Sequence, residues 1–213
     1  MFIRVKWIKN QPYAYRVSNR WRKKKGTKQE VKGYLGRVYY LNNVKELSFE
    51  EFIGNSMVEY LKNNSARAII LDLIRYELLK HGFVYKGNNK NILFYTNDII
   101  TPTKSESLGE NNLKSESSKN DGSKTGSFKI KVEIAPSILS ITDTKKPIVL
   151  ALNKDYLCNY TIRELAKFKS HSEEEECGKE LAKAFISAGI PVVPSLFIEI
   201  FNKIYSPRGS YVR

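Results

Sequence analysis

The first forty residues alternate apolar and polar side chains three times over. Ile3, Val5 and Trp7 are separated by Arg4 and Lys6, Tyr13, Tyr15 and Val17 by Ala14 and Arg16, and Val31, Gly33 and Leu35 by Lys32 and Tyr34. A period of two sends successive side chains to opposite faces of a strand. Each segment therefore reads as a strand, with one alternating set on a buried face and the other in water. Asn10-Gln11-Pro12 suits the first turn, because proline presets φ and donates no ladder hydrogen bond. Lys25-Gly26-Thr27 suits the second, with glycine at positive φ. Residues 1–45 are thus expected to form a three-stranded antiparallel meander.

The period then lengthens. Ser48-Phe49-Glu50-Glu51 has capping-box spacing and predicts one helix to about Lys62, burying Phe52, Met57 and Leu61. Asn63-Asn64 breaks it. Ser65 caps a second helix over ARAIILDLIRYELLKH, closed by Gly82, whose apolar stripe (Ile69, Ile70, Leu73, Ile74, Leu78, Leu79) marks a central core helix. FVYKGNNKNILFYT follows as a hairpin. Helix, helix, hairpin is the tail of a winged-helix arrangement, which would set Arg67 or Arg75 on a groove-facing helix and Lys86 and Lys90 in the wing. The competing reading is an ordinary α+β unit over residues 46–100, since the second helix is apolar nearly all round.

Residues 101–127 hold seven serines and almost nothing apolar, so they read as a disordered linker or loop insertion. The runs on either side, NILFYTNDII and FKIKVEIA, read as strands that pair across it. From Lys146 onward the pattern turns helical, with Pro147–Asn153 a buried run of undecided type. Thr161-Ile162-Arg163-Glu164 reads as a capping box opening a helix to about Lys169. Ser172 caps the next helix, where Glu173, Glu174 and Glu175 suit the helix dipole. Pro194 to Tyr205 forms the last. Residues 128–213 are expected to be a strand plus a small helical bundle packed with residues 46–100, and the whole chain α+β.

With 213 residues, 41% hydrophobic and 27% charged, the chain has room for one or two domains, each with a core. No apolar run is long enough for a bilayer and MFIRVKWIKN lacks an apolar signal core, so no membrane partner is expected. Cytoplasmic location is the default, nucleoid-associated if the source is prokaryotic. Charge changes the picture more. Between Met1 and Leu41 stand twelve Lys or Arg against Glu30 alone, +11 of the chain's +14. A cationic patch this local, with Trp and Tyr among its strands, points to a polyanion. The candidate nucleic-acid contacts are Arg4, Lys6, Arg16, Arg20, Trp21, Arg22, Lys23, Lys24, Lys25, Lys28, Lys32 and Arg37.

The segments FIRVK, YAYRV and YLGR, in this order and spacing, resemble the extreme N-terminus of some DDE-type insertion-sequence transposases. The resemblance covers about a fifth of the chain, and no DDE catalytic core follows it. It implies DNA contact rather than strand transfer, carried by Arg4, Lys6, Arg16 and Arg37, with Tyr34-Leu35-Gly36 as a turn.

Catalytic and metal signals are weak. Glu173 to Glu176 point in different directions around a helix and do not converge on one ion. Cys158 and Cys177 with His81 and His171 lack zinc-site spacing, and the two cysteines read as small hydrophobes. No phosphate loop, dinucleotide fingerprint or nucleophile elbow occurs. The sequence therefore predicts a non-catalytic nucleic-acid-binding protein without cofactor, preferring double-stranded DNA. RNA or ribosome association is the first alternative. A protein adaptor using the C-terminal helices is the second.

Overall fold

The computed structural model describes residues 1–22, 26–95, 129–135, 138–144, 146–169 and 173–205. Among them the chain is mixed α/β, with nine strands in one sheet and six helices. Three antiparallel strands come first: β1 (Phe2–Ile8), β2 (Gln11–Arg22) and β3 (Gly26–Tyr40). The first turn is Lys9-Asn10, both at positive φ, and not Asn10-Gln11-Pro12. Two residues at positive φ match the strand twist in a tight hairpin. Pro12 instead pairs with Trp7 inside β2. It follows the hydrogen-bonded pair Ile8–Gln11, so its missing N–H falls at a position without a ladder bond to β1, and pairing with β3 begins only at Tyr13.

β3 carries two more residues than the matching stretch of β2. Ala14 faces Gly36 but Tyr15 faces Tyr34, and Arg16 faces Gly33 but Val17 faces Val31. Leu35 and Lys32 are the extra residues, each a bulge that bends the strand. The Tyr34-Leu35-Gly36 turn is therefore corrected to a bulge within β3.

Three helices follow: α1 (Phe49–Ile53), α2 (Met57–Asn63) and α3 (Ala66–Lys80). The Ser48/Glu51 capping box forms, but the expected single helix is two. Gly54 ends the first in the left-handed region, its amide donating to Glu50 O at 3.0 Å. α3 is buried along Ile69, Ile70, Leu73, Ile74 and Leu78. Its Arg75 donates to Asp72 at 2.6 Å and to the Ile134 carbonyl at 2.7 Å. That guanidinium is pinned to the sheet, so the winged-helix placement of Arg75 in a groove does not hold.

β4 (Val84–Lys86) and β5 (Asn89–Tyr95) form the hairpin, and β5 pairs antiparallel with β6 (Ile130–Ile134), Ile92 opposite Glu133 through Tyr95 opposite Ile130. The serine-rich stretch 101–127 lies outside the described residues. The C-terminal region holds more strand than expected, with β7 (Leu139–Asp143), β8 (Lys146–Leu152) and β9 (Asp155–Cys158). The run of undecided type is β8, and it joins everything. β8 lies parallel to β3, Arg37 opposite Ile148 through Tyr40 opposite Ala151, and antiparallel to β7 and β9. The N-terminal meander is thus hydrogen-bonded to the rest of the sheet.

α4 (Asn159–Ala166), α5 (Glu174–Ser187) and α6 (Pro194–Ile204) complete the fold. Thr161 is not the cap of α4 but its third residue, its hydroxyl accepting from the Cys158 N–H at 2.9 Å. Ser172 lies outside the described residues. α4 touches α3 and α5, and α6 touches α3, so the late helices pack on the central helix as well as on one another. Cys158 and Cys177 are both buried and free.

The sheet has apolar residues on both sides. Ile148, Leu150 and Leu152 of β8 join Tyr39 and the helices in the large core. Val149 joins Ala14, Val38 and Cys158 in a smaller one on the reverse side, with Ile3, Val5, Tyr156 and Tyr160 packed against it. Gly36 sits at the seam. A Cβ there would fall on the Pro147 carbonyl and 2.7 Å from Ile148 Cα, so only glycine lets β3 approach β8 this closely.

Candidate nucleic-acid interface

β2 and β3 outrun β1. The last pair that β1 makes is Phe2 with Val17, whereas β2 and β3 continue from Ser18–Glu30 to Arg22–Gly26. Five cross-strand pairs therefore project as a two-stranded arm about 15 Å long. From Ser18 to Lys32 the sequence carries seven cations and one acid, a net +6. Asn19, Arg20, Trp21, Lys28 and Gln29 are exposed, and Trp21 is 68% accessible. A large ring left in water at the end of a basic ribbon is an uncommon arrangement for a residue that otherwise stabilises cores.

The two sides of the arm differ in chemistry. Arg20 and Lys32 lie 3.5 and 3.0 Å from the Glu30 carboxylate, which places them on one side. These two cations, chiefly the hydrogen bond from Lys32, hold the Glu30 carboxyl below its ordinary range. By strand alternation Trp21 shares the other side of β2 with Asn19, Val17, Tyr15 and Tyr13. Arg4 donates to Gln29, the cross-strand partner of Asn19, and so belongs to that side as well.

Nearer the body, this second side is an aromatic cluster among cations. Tyr34 stands 6.3 Å from Tyr13 and 5.5 Å from Tyr15 between ring centroids, both tilted. Lys6 lies 5.4 Å over the Tyr15 ring and Arg37 5.2 Å over Tyr39. Burial, then the neighbouring Tyr13 and Tyr15, raises the Tyr34 phenol above its ordinary pKa. Tyr39 is pushed up further by burial and by donating to Asp143 at 2.9 Å. The phenols are neutral donors at physiological pH.

β2 does not divide into one buried and one wet face, since Val17 on the tyrosine side is only 1% accessible. Ala14 is fully buried in the smaller core, and Arg16 stacks 5.0 Å over Tyr160 on that side. Tyr13 and Tyr15 lie half-buried on the opposite side, near Tyr34 and Lys6. Arg4, Lys6 and Arg37 thus surround the tyrosines, Arg20, Lys28 and Lys32 line the arm, and Arg16 lies on the Arg20 side of β2, folded over Tyr160. Arg22 ends β2, its side chain outside the described residues, as are Lys23, Lys24 and Lys25. The tyrosines were missed as site residues. Their signal was available, since they share the alternation of Trp21.

Elsewhere, an open cleft of about 790 Å³ runs between the start of β1 and helices α4 and α5. Arg163, Lys167, Lys169 and Lys183 line it together with Asp155, Glu164 and Glu180, so carboxylates sit among the cations and dilute their field. No helix among the described residues is long and apolar enough to cross a membrane. Comparison with known protein families, curated proteins and solved structures finds no match to this chain.

Proposed function

We propose that the protein binds double-stranded DNA, without catalysis, by laying the β2–β3 arm into a groove. The observation that carries this is the arm itself, a two-stranded ribbon beyond the body, with seven cations to one acid and an exposed Trp21 near its end. The DNA major groove, about 12 Å wide, admits a two-stranded ribbon. The cations meet phosphates, and an apolar ring can enter between base steps where the duplex is bent. The A-form RNA duplex has a deep, narrow major groove that admits no such ribbon, which favours DNA.

The test uses the full chain and a short duplex. If about five arm cations each neutralise a phosphate, log K falls against log salt with a slope near −4 to −5. Trp21 fluorescence is expected to change on binding. Replacing Arg20, Arg22 and Lys28 together with Gln is expected to weaken binding to all sequences alike. A slope near zero, undiminished binding by that variant, or tighter binding of an equal-length RNA duplex would reject the reading.

A further inference from the structure

We infer that the tyrosine side of the same sheet holds an unpaired strand, so that the preferred ligand is a duplex carrying a single-stranded tail. This rests on the arm being the duplex-binding element. Tyr13, Tyr15 and Trp21 lie on one side of β2, and Tyr34 stands across from Tyr15 on β3. Tyr34 is 54% accessible, and Arg4, Lys6 and Arg37 flank the rings.

Spacing decides between paired and unpaired DNA. Residues two apart on a strand are about 6.6 Å apart, twice the roughly 3.4 Å rise per nucleotide of a duplex strand. Bases stacked within a duplex cannot each reach a separate ring, whereas an extended single strand can. Aromatic stacking accepts any base, because every base has a π face, and the flanking cations track the backbone. Burial raises the Tyr34 phenol above its ordinary pKa, so that ring brings no negative charge to the phosphates. Along β2, Tyr15 lies about 20 Å from Trp21, a span that about four nucleotides of an extended strand cover at that spacing. The arm and the cluster are thus neighbouring parts of one sheet with two kinds of site, a cationic ribbon for paired DNA and a ring platform for what is unpaired beside it.

The experiment compares a blunt duplex with the same duplex bearing a tail of about ten nucleotides, at either end polarity, by fluorescence anisotropy on the full chain. The tail is expected to tighten binding about tenfold for at least one polarity. The paired substitution Tyr15→Leu and Tyr34→Leu is expected to remove that gain, so that the variant binds tailed and blunt duplexes with equal affinity. Tyr34→Leu alone, at a half-exposed position, serves if the pair unfolds the protein. A bound blunt duplex with no gain from the tail overturns this inference and leaves the arm reading standing. So does a gain that survives the substitutions. Binding of the free strand with no contribution from the duplex overturns both.

Discussion

Replacing Glu30 with glutamine is expected to tighten DNA binding rather than weaken it. Glu30 is the one acid among the first forty-one residues, and it holds Arg20 at 3.5 Å and Lys32 at 3.0 Å. Its carboxyl is held below the ordinary range, chiefly by the Lys32 hydrogen bond, and so is ionised throughout the neutral range. Two of the arm's seven cations are therefore shared with this carboxylate. Five phosphates neutralised give a salt slope of about −4.5, and releasing Arg20 and Lys32 steepens it toward about −6. Between 50 and 200 mM salt, affinity would then fall roughly 500-fold for the natural protein and several thousand-fold for the variant. The variant binds more tightly at low salt, and its advantage shrinks as salt rises. The substitution removes only solvent-facing ion pairs, so the urea midpoint is expected to stay in place. Anisotropy titrations at four or five salt concentrations measure both slopes. An unchanged slope, or weaker binding at low salt, would mean that the arm does not meet phosphates.

Three further outcomes follow from the geometry. Gly36→Ala is expected to cost about 3 kcal/mol in urea unfolding, because the new methyl collides with the Pro147–Ile148 backbone and φ there is +137°; an unchanged midpoint would show that β3 can back away from β8. Asp155→Asn is expected to raise the urea midpoint at pH 7. Burial raises the Asp155 pKa above its unfolded value, so the carboxylate's penalty is present above the folded pKa and fades as pH falls through it. The gain should vanish toward pH 3, and a loss of stability at pH 7 would contradict it. Trp21→Ala is expected to abolish the DNA-dependent fluorescence change and leave the melting temperature in place, since the ring is mostly in water.

Local pattern made the strands and most helix starts legible. Ile3, Val5 and Trp7 identify β1, and Ser48 with Glu51 identify the start of α1. What was not legible depends on partners distant in sequence. The alternation of β2 is plain, but Ala14 is buried because Val38, Val149 and Cys158 close over it, and no rule local to residues 11–22 supplies that. β8 reads as a buried run of either type because its neighbours are β3, β7 and β9, not its own flanks. The bulges at Lys32 and Leu35 left a mark in the glycines that follow them, Gly33 and Gly36, since glycine inside a strand often signals a bulge. Gly54 left another, as the commonest residue for ending a helix. At the candidate site, the cations announced themselves by number. The tyrosine cluster emerged only once Tyr13, Tyr15 and Tyr34 were brought to one side.

The parallel ladder between β3 and β8 has a consequence for synthesis. Arg37 leaves the ribosome about 110 residues before Ile148, its eventual neighbour. At roughly 5–20 residues per second, that is an interval of about 5–20 s during which the basic hairpin exists with one bare flank. A flank of this kind is an aggregation hazard in most nascent chains. Here the hairpin carries so much like charge that two such intermediates repel, and the same side chains proposed to hold DNA also keep unfinished chains apart.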